Sequence, residues 1–274
     1  FKELVNAYGG VATVLESSFG SAADLEQIKD ALEKNSEIKT VFVTHNETST
    51  GVTNPIIPNL VKIVQEHDAL LVVDAISSLS SVEFRTDEWE VDVVCSGSQK
   101  GWMTAPGLSL ISVSEKAWQR FEENSQPRFY FDLLRHKKAL ADGQTPWTPA
   151  ISVWFSLDKA LDMMIEEGLD AIWARHARAG QRVRDRVRAM GLKLFSQEGV
   201  ESNTVTSITV PAELDGLEIL KIARDRYSTV FAGGQASLKG QIIRFGHLGY
   251  MPDSDLDSAL DALRNTLTDL NFKA

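Results

Sequence analysis

"VDVVCSGSQKGWMTAPGL", residues 91–108, starts as an apolar, β-branched run and ends in Ser, Gly, Thr and Pro around a single ammonium, Lys100. Such a run reads as a strand buried on both faces, the form strands take in parallel sheets. Outward from it, similar runs at 11–15, 38–44, 70–74 and 108–113 alternate with helix-patterned stretches at 22–32, 55–67 and 114–123. That alternation predicts an α/β fold with a mostly parallel sheet. Ligands in such sheets gather at the carboxyl ends of the strands, where the backbone leaves the core and polar side chains project. The segments of interest are therefore 44–51, 74–78 and 96–100.

Beyond this region the pattern changes. Pro127, Gly143, Pro146 and Pro149 punctuate 116–149, which reads as surface loops and short helices. A helical pattern runs from 152 to about 166, breaks at Gly168 and resumes to 190. Strand-like runs at 192–195, 205–210, 229–231 and 242–245 follow, with helices at 216–226 and 254–270. Separate strand and helix blocks predict a smaller C-terminal α+β domain packed on the first. The expected division is a large domain over 1–166 and a small one over 167–274.

The chain has 274 residues, a formal charge of −10 and 43% hydrophobic residues, enough to bury a large core. The acidic balance disfavours nucleic acid and anionic membrane surfaces, both of which attract clustered Lys and Arg. No apolar run approaches the roughly 20 residues of a spanning helix. A small-molecule substrate fits these properties, with no membrane, nucleic-acid or metal partner expected. The single cysteine, Cys95, cannot form an intrachain disulfide, which makes the reducing cytoplasm the expected location. Residues 1–8 read as the middle of an amphipathic helix, so the native N-terminus is expected upstream. Arg175, Arg178, Arg182, Arg184, Arg186 and Arg188 crowd one helix and read as a solvated face.

Four features meet at the expected carboxyl edge. Asp74 closes the run "LLVVD"; "THNETSTGV" places Thr48, Ser49 and Thr50 after another strand; "SGSQKG" sets Ser98 and Gln99 beside Lys100; Arg244 follows a strand in "IIRFGHLGY". Each alone is ordinary: a turn aspartate, a loop, a solvent-facing lysine, a salt-bridged arginine. Together they match what pyridoxal phosphate requires: an amine for its aldehyde, a carboxylate for its ring nitrogen and donors for its phosphate. An amino-acid substrate adds a guanidinium for its carboxylate.

"HNETSTGV", "LLVVDAISSL", "DVVCSGSQKGWMTAPGL" and "IIRFGHLGY" resemble the class V aminotransferases of the alanine–glyoxylate and serine–pyruvate group, and the resemblance runs over essentially the whole chain. It implies a fold type I pyridoxal-phosphate enzyme, a homodimer with sites at the subunit interface, and transamination between a small amino acid and a 2-oxo acid such as glyoxylate or pyruvate. By position it makes Lys100 the Schiff-base lysine and Asp74 the partner of the ring nitrogen. Ile76 then lies against a ring face, Thr48 near the ring oxygen, and Gln99 and Ser98 at the phosphate. Thr145, or its neighbour Thr148, reaches the phosphate of the other subunit, and Arg244 binds the substrate carboxylate. Family members carry a glycine- and hydroxyl-rich phosphate cradle and a ring-covering aromatic ahead of the region matching Phe1, which implies an N-terminally incomplete chain. A desulfurase would need a cysteine on a mobile loop, and Cys95 lies inside an apolar run. A lyase on the same fold and a non-catalytic aminotransferase-fold subunit remain as alternatives.

Overall fold

A computed structural model describes residues 1–273. The strands in chain order are β1 (Thr40–Thr44), β2 (Asn46–Glu47), β3 (Val52–Thr53), β4 (Leu70–Asp74), β5 (Val93–Gly97), β6 (Ser109–Val113), β7 (Lys193–Leu194), β8 (Val205–Thr209), β9 (Ala232–Gly233) and β10 (Ile242–Gly246). The helices are α1 (Lys2–Ala7), α2 (Leu25–Lys34), α3 (Ile57–Glu66), α4 (Glu115–Glu123), α5 (Leu133–Ala141), α6 (Ile151–Glu167), α7 (Leu169–Ala189), α8 (Gly216–Tyr227) and α9 (Asp253–Asp269).

The first sheet has the order β1-β4-β5-β6; the first three strands are parallel and β6 returns antiparallel. Leu71, Val73 and Val94 are buried against Ile57, Leu60 and Val64 of α3, whose apolar residues recur on one face. Side-chain caps start four helices: Asp24 for α2, Ser114 for α4, Asp132 for α5 and Asp215 for α8. Asp92, buried at the start of this region, accepts from the Leu71 N–H (2.9 Å) and the Ser114 hydroxyl (3.0 Å), locking β4 to the head of α4.

The second sheet, β7-β8-β10-β9, is antiparallel and packs on α7, α8 and α9 around Val183, Ile208, Ile219, Phe245 and Leu260. The helical pattern breaks at Gly168 as its composition predicts; φ there is +81°, a left-handed value that glycine adopts freely.

Three expectations change. Residues 11–15 form no strand, and Val11 is 96% exposed: β-branched composition makes a strand only where a neighbour completes the ladder. The run at 229–231 yields to β9, which starts directly after it at Ala232, because α8 extends to Tyr227 and Ser228 turns left-handed at φ 50°. The arginine-rich face of α7 is less solvated than its pattern implies. Arg182 pairs with Asp253 (2.9 Å) and Asp257 (2.5 Å) of α9, Arg186 with Asp261 (3.3 Å), and Arg184 is buried, donating to the Ser202 carbonyl at 3.0 Å. Among the described residues no helix is long and apolar enough to cross a membrane.

Candidate active site

β1, β4 and β5 end at one edge, with Thr44, Asp74 and Cys95 in register. The main chain around Asp74 is tied to both neighbours: the His45 N–H donates to the Asp74 carbonyl and the Ala75 N–H to the Cys95 carbonyl, both at 2.9 Å. One carboxylate oxygen, Oδ1, accepts from the Ile76 N–H at 3.0 Å in an Asx-type turn. The other has no partner among the described residues. Asp74 and Ile76 are both half-buried, and Ile76 stands where the chain turns out of β4.

Lys100 sits in the turn leaving β5, half-buried, and its ammonium has no hydrogen-bond or ion-pair partner among the described residues. Its turn is firmly built. Ser98 is fully buried; its hydroxyl donates to the Ala105 carbonyl (2.7 Å) and accepts from the Leu108 N–H (3.2 Å), closing the loop on itself. Trp102 donates from Nε1 to the Ser96 hydroxyl (2.8 Å), and the Met103 N–H donates to the Lys100 carbonyl (3.0 Å). Two glycines make this shape possible. A Cβ on Gly97 would come within 2.8 Å of the Gln99 amide oxygen, and a Cβ on Gly101 would overlap the Ser80 and Ser81 hydroxyls. Gln99 is exposed, lying over Gly97. Ser98, expected with Gln99 at the phosphate, has its hydroxyl bonded inside the loop, while Gln99 is open at the edge.

Arg244 approaches from β10. Its Nε donates to the Gly233 carbonyl (2.8 Å) and its Nη1 to the Thr48 carbonyl (3.1 Å), so the guanidinium reaches β2–β3, a separate two-stranded hairpin that follows β1. The expected alternative for Arg244, a salt bridge, is absent among the described residues. Thr48, half-buried, thereby sits between β1 and Arg244. The hairpin is clamped elsewhere too. Thr53 donates to the Val200 carbonyl (2.8 Å) and Ser202 to the Gly51 carbonyl (2.9 Å), and a Cβ on Gly51 would lie 2.8 Å from the Ser207 hydroxyl. Asp74, Ile76, Lys100, Gln99, Thr48 and Arg244 therefore stand on segments that meet at one edge. Thr145 does not join them: exposed ahead of α6, it donates to the Trp147 carbonyl at 2.7 Å.

Sequence reasoning passed over Asn46 and three buried histidines. Asn46, 2% exposed, bonds through its amide to Ser77, Thr204, Ser202 and Thr53. His45 packs edge-on to Phe84 (ring centroids 5.0 Å), and burial lowers its pKa to about 4. His247 contacts the Thr206 hydroxyl (2.9 Å); burial, aided by Arg184 and His176, lowers its pKa to about 3. His176 bonds the Ile172 carbonyl through Nδ1 (2.8 Å) and accepts the Gly249 N–H at Nε2 (3.0 Å); burial lowers its pKa too. The only linear signal for these residues is their position just past an apolar run or within an amphipathic helix.

Residues 1–257 match the family model described as aminotransferase class-V. Over 98% of its length the chain is 39% identical to a protein named soluble hydrogenase, small subunit, from Synechococcus, spanning 71% of that protein. It is 38% identical over 281 residues to the serine–glyoxylate aminotransferase of Methylorubrum extorquens, covering 99% of this chain and 70% of that one. The crystal structure of pyridoxamine–pyruvate aminotransferase from Mesorhizobium loti superposes with a TM-score of 0.90 at 32% identity, covering 94% of this chain and 67% of that one.

Proposed function

The chain belongs to the class V aminotransferase family and shares its fold type I architecture, and from that premise we propose that it uses pyridoxal phosphate to move an amino group from a small amino acid of the alanine or serine type to a 2-oxo acid such as glyoxylate or pyruvate. The observation that carries this reading is the meeting, at one strand edge, of Asp74, an unpartnered Lys100 and an arginine reaching across from the second sheet. The donor set fits the cofactor: a free amine, a carboxylate oxygen without a partner, and a glutamine amide seated over a glycine that leaves it room. When bound, pyridoxal phosphate supplies an aldehyde that condenses with amines and a ring that draws electrons from an attached amino acid.

Each residue then has a task. Lys100 would hold the cofactor covalently, and as a free amine would carry the Cα proton on Nζ. Asp74 would pair with the ring nitrogen and keep it protonated, and Ile76 would supply apolar contact to the ring. Thr48 lies by the ring oxygen. Gln99 donates to the phosphate, while Ser98 acts by fixing the loop that presents it. Arg244, held at Nε and Nη1 by two carbonyls, offers its remaining N–H groups to the substrate carboxylate. Thr145 serves the partner subunit of a homodimer, residues 1–166 and 167–274 act as large and small domains, and the cytoplasm is the working compartment. The hydrogenase name of one relative finds no matching chemistry in these residues: iron–sulfur clusters are held by several thiolates, and these 274 residues include one cysteine.

The test is an absorption spectrum of the chain with added pyridoxal phosphate, then borohydride reduction and peptide mapping. The expected result is a reducible link on Lys100 and turnover of an alanine or serine donor with glyoxylate. A label elsewhere or none, with no turnover, refutes the reading.

A further inference from the structure

The joint between the two sheets turns on one side chain. An asparagine amide has two N–H donors and an oxygen with two lone pairs, and Asn46 uses all four. Its Nδ2 donates to the Ser77 hydroxyl (2.8 Å) and the Thr204 hydroxyl (2.9 Å); its Oδ1 accepts from the Ser202 hydroxyl (2.6 Å) and the Thr53 hydroxyl (2.8 Å). The Ser77 hydroxyl in turn donates to the Asn46 carbonyl at 2.6 Å, so side chain and main chain are both held. At 2% exposure water cannot substitute for any lost partner.

These partners lead straight to the candidate site. Ser77 lies three residues past Asp74, in the turn that Asp74 itself caps. Ser202 and Thr204 lead into β8, whose Ser207 pairs in register with Arg244. Two residues beyond Asn46, the Thr48 carbonyl receives Arg244. A continuous bonded path therefore runs from Arg244 through β8 and Asn46 to the turn after Asp74. A second, shorter path joins Arg244 to the same asparagine through the hairpin.

We propose that Asn46 is a positioning residue that sets the separation between Arg244 and the Asp74–Lys100 edge. An α-amino acid held by its carboxylate at Arg244 then presents its Cα to Lys100. The inference rests on the aminotransferase reading. Asn46 touches neither substrate nor cofactor; it acts through Ser77, Thr48 and Thr204.

Asn46→Asp tests it with nearly unchanged shape, since an ionised carboxylate turns the oxygen that replaces Nδ2 toward two hydroxyl oxygens with no proton to give. Thr204→Val removes one partner on the second-sheet side and decides the question if the first variant does not fold. Three readouts are expected for each variant. The reducible link to Lys100 forms as in the wild type. Binding of 2-methylalanine, an amino acid without a Cα proton, weakens at least tenfold. Hydrogen exchange at the Thr53 and Ser202 amides, which cross the joint, speeds up at least tenfold. For Asn46→Asp alone, binding relative to wild type recovers as pH falls and the carboxyl regains a proton to donate. Folded variants with 2-methylalanine binding within twofold of wild type overturn the proposal, even if their melting temperatures drop, because that is what a purely structural role produces. Loss of the Lys100 link together with binding also overturns it. A wild type that forms no Lys100 link overturns the aminotransferase reading, and the positioning role falls with it.

Discussion

At the carboxyl edge of the first sheet, the Lys100 ammonium, the Gln99 amide and the Thr48 hydroxyl have no partners among the described residues; a few residues away, Asn46 spends its entire hydrogen-bonding capacity. The two regions use the same kinds of polar side chain for opposite ends. Groups at the edge keep capacity in reserve for a ligand. Groups in the joint are saturated, and saturation in a water-free setting is what fixes their position. Reactive geometry here is set by residues that do not react, an arrangement in which first-contact groups stand on a supporting shell.

The largest expected effect comes from removing the reserve itself. In the proposed reading Lys100→Ala takes away both the covalent anchor and the proton carrier, and proton transfer alone contributes about 10²–10⁴-fold. The rate of amino-acid conversion should fall by roughly 10³-fold or more, with the circular dichroism spectrum unchanged because the side chain is half-exposed and unbonded. Turnover within tenfold of wild type would place the chemistry on another lysine.

The next effect tests whether the edge depends on its support. Gly101→Ala drives a methyl group into the Ser80 and Ser81 hydroxyls. The Lys100 turn must shift, and a misplacement near 1 Å can cost about 10²-fold in rate. Overpacking also costs about 1–3 kcal/mol of stability. Single-turnover kinetics and urea melts check both figures; unchanged kinetics would show that the turn tolerates movement.

Arg244→Lys addresses the one group that belongs to both regions. Two carbonyls hold its guanidinium while its other N–H groups have no partner among the described residues, and an ammonium cannot reproduce that fork. Losing a charge-assisted bond costs about 1.5–3 kcal/mol, or roughly 10–100-fold in KM for the amino donor. The Lys100 link should be unaffected. A KM within threefold of wild type would argue against carboxylate binding at this residue.

The same contrast explains what could be read from the sequence. Lys100, Asp74 and Arg244 are visible because each stands out against an apolar run, and most strands and helices of both sheets follow from periodicity within a residue or two, the start of α2 and the place of β9 being off by three. Asn46 is invisible because it is one polar residue in a polar stretch; two of its four partners lie 156 and 158 positions away and are brought to it only by the fold. Ser98 misleads for the opposite reason: beside Lys100 it reads as a ligand donor, yet the loop carbonyl of Ala105, seven residues on, claims its hydroxyl. Residues 11–15 mislead because composition reports strand propensity and says nothing about a neighbouring strand.

The smallest effect belongs to three buried histidines. Burial lowers His45 from an ordinary 6.5 to about 4 and His247 to about 3, and lowers His176 as well. The folded chain therefore keeps these imidazoles neutral where the unfolded chain protonates them. Below pH 6.5 the unfolded state binds more protons, so stability is at its full value above that pH and is lost as pH falls toward the folded values. Each fully protonating histidine contributes a slope of about 1.4 kcal/mol per pH unit. Between pH 6.5 and 5 the ordinary carboxylates stay ionised, so urea midpoints in that window isolate the histidine term. His45→Phe should reduce the slope by about one histidine's share. Its stability at pH 7.5 should stay within about 1 kcal/mol of wild type, because the Nδ1 it removes is buried without a partner and the new ring can keep the edge-on contact with Phe84. An unchanged slope would mean that His45 is protonated in the folded protein, and that this side of the joint is wetter than its burial implies.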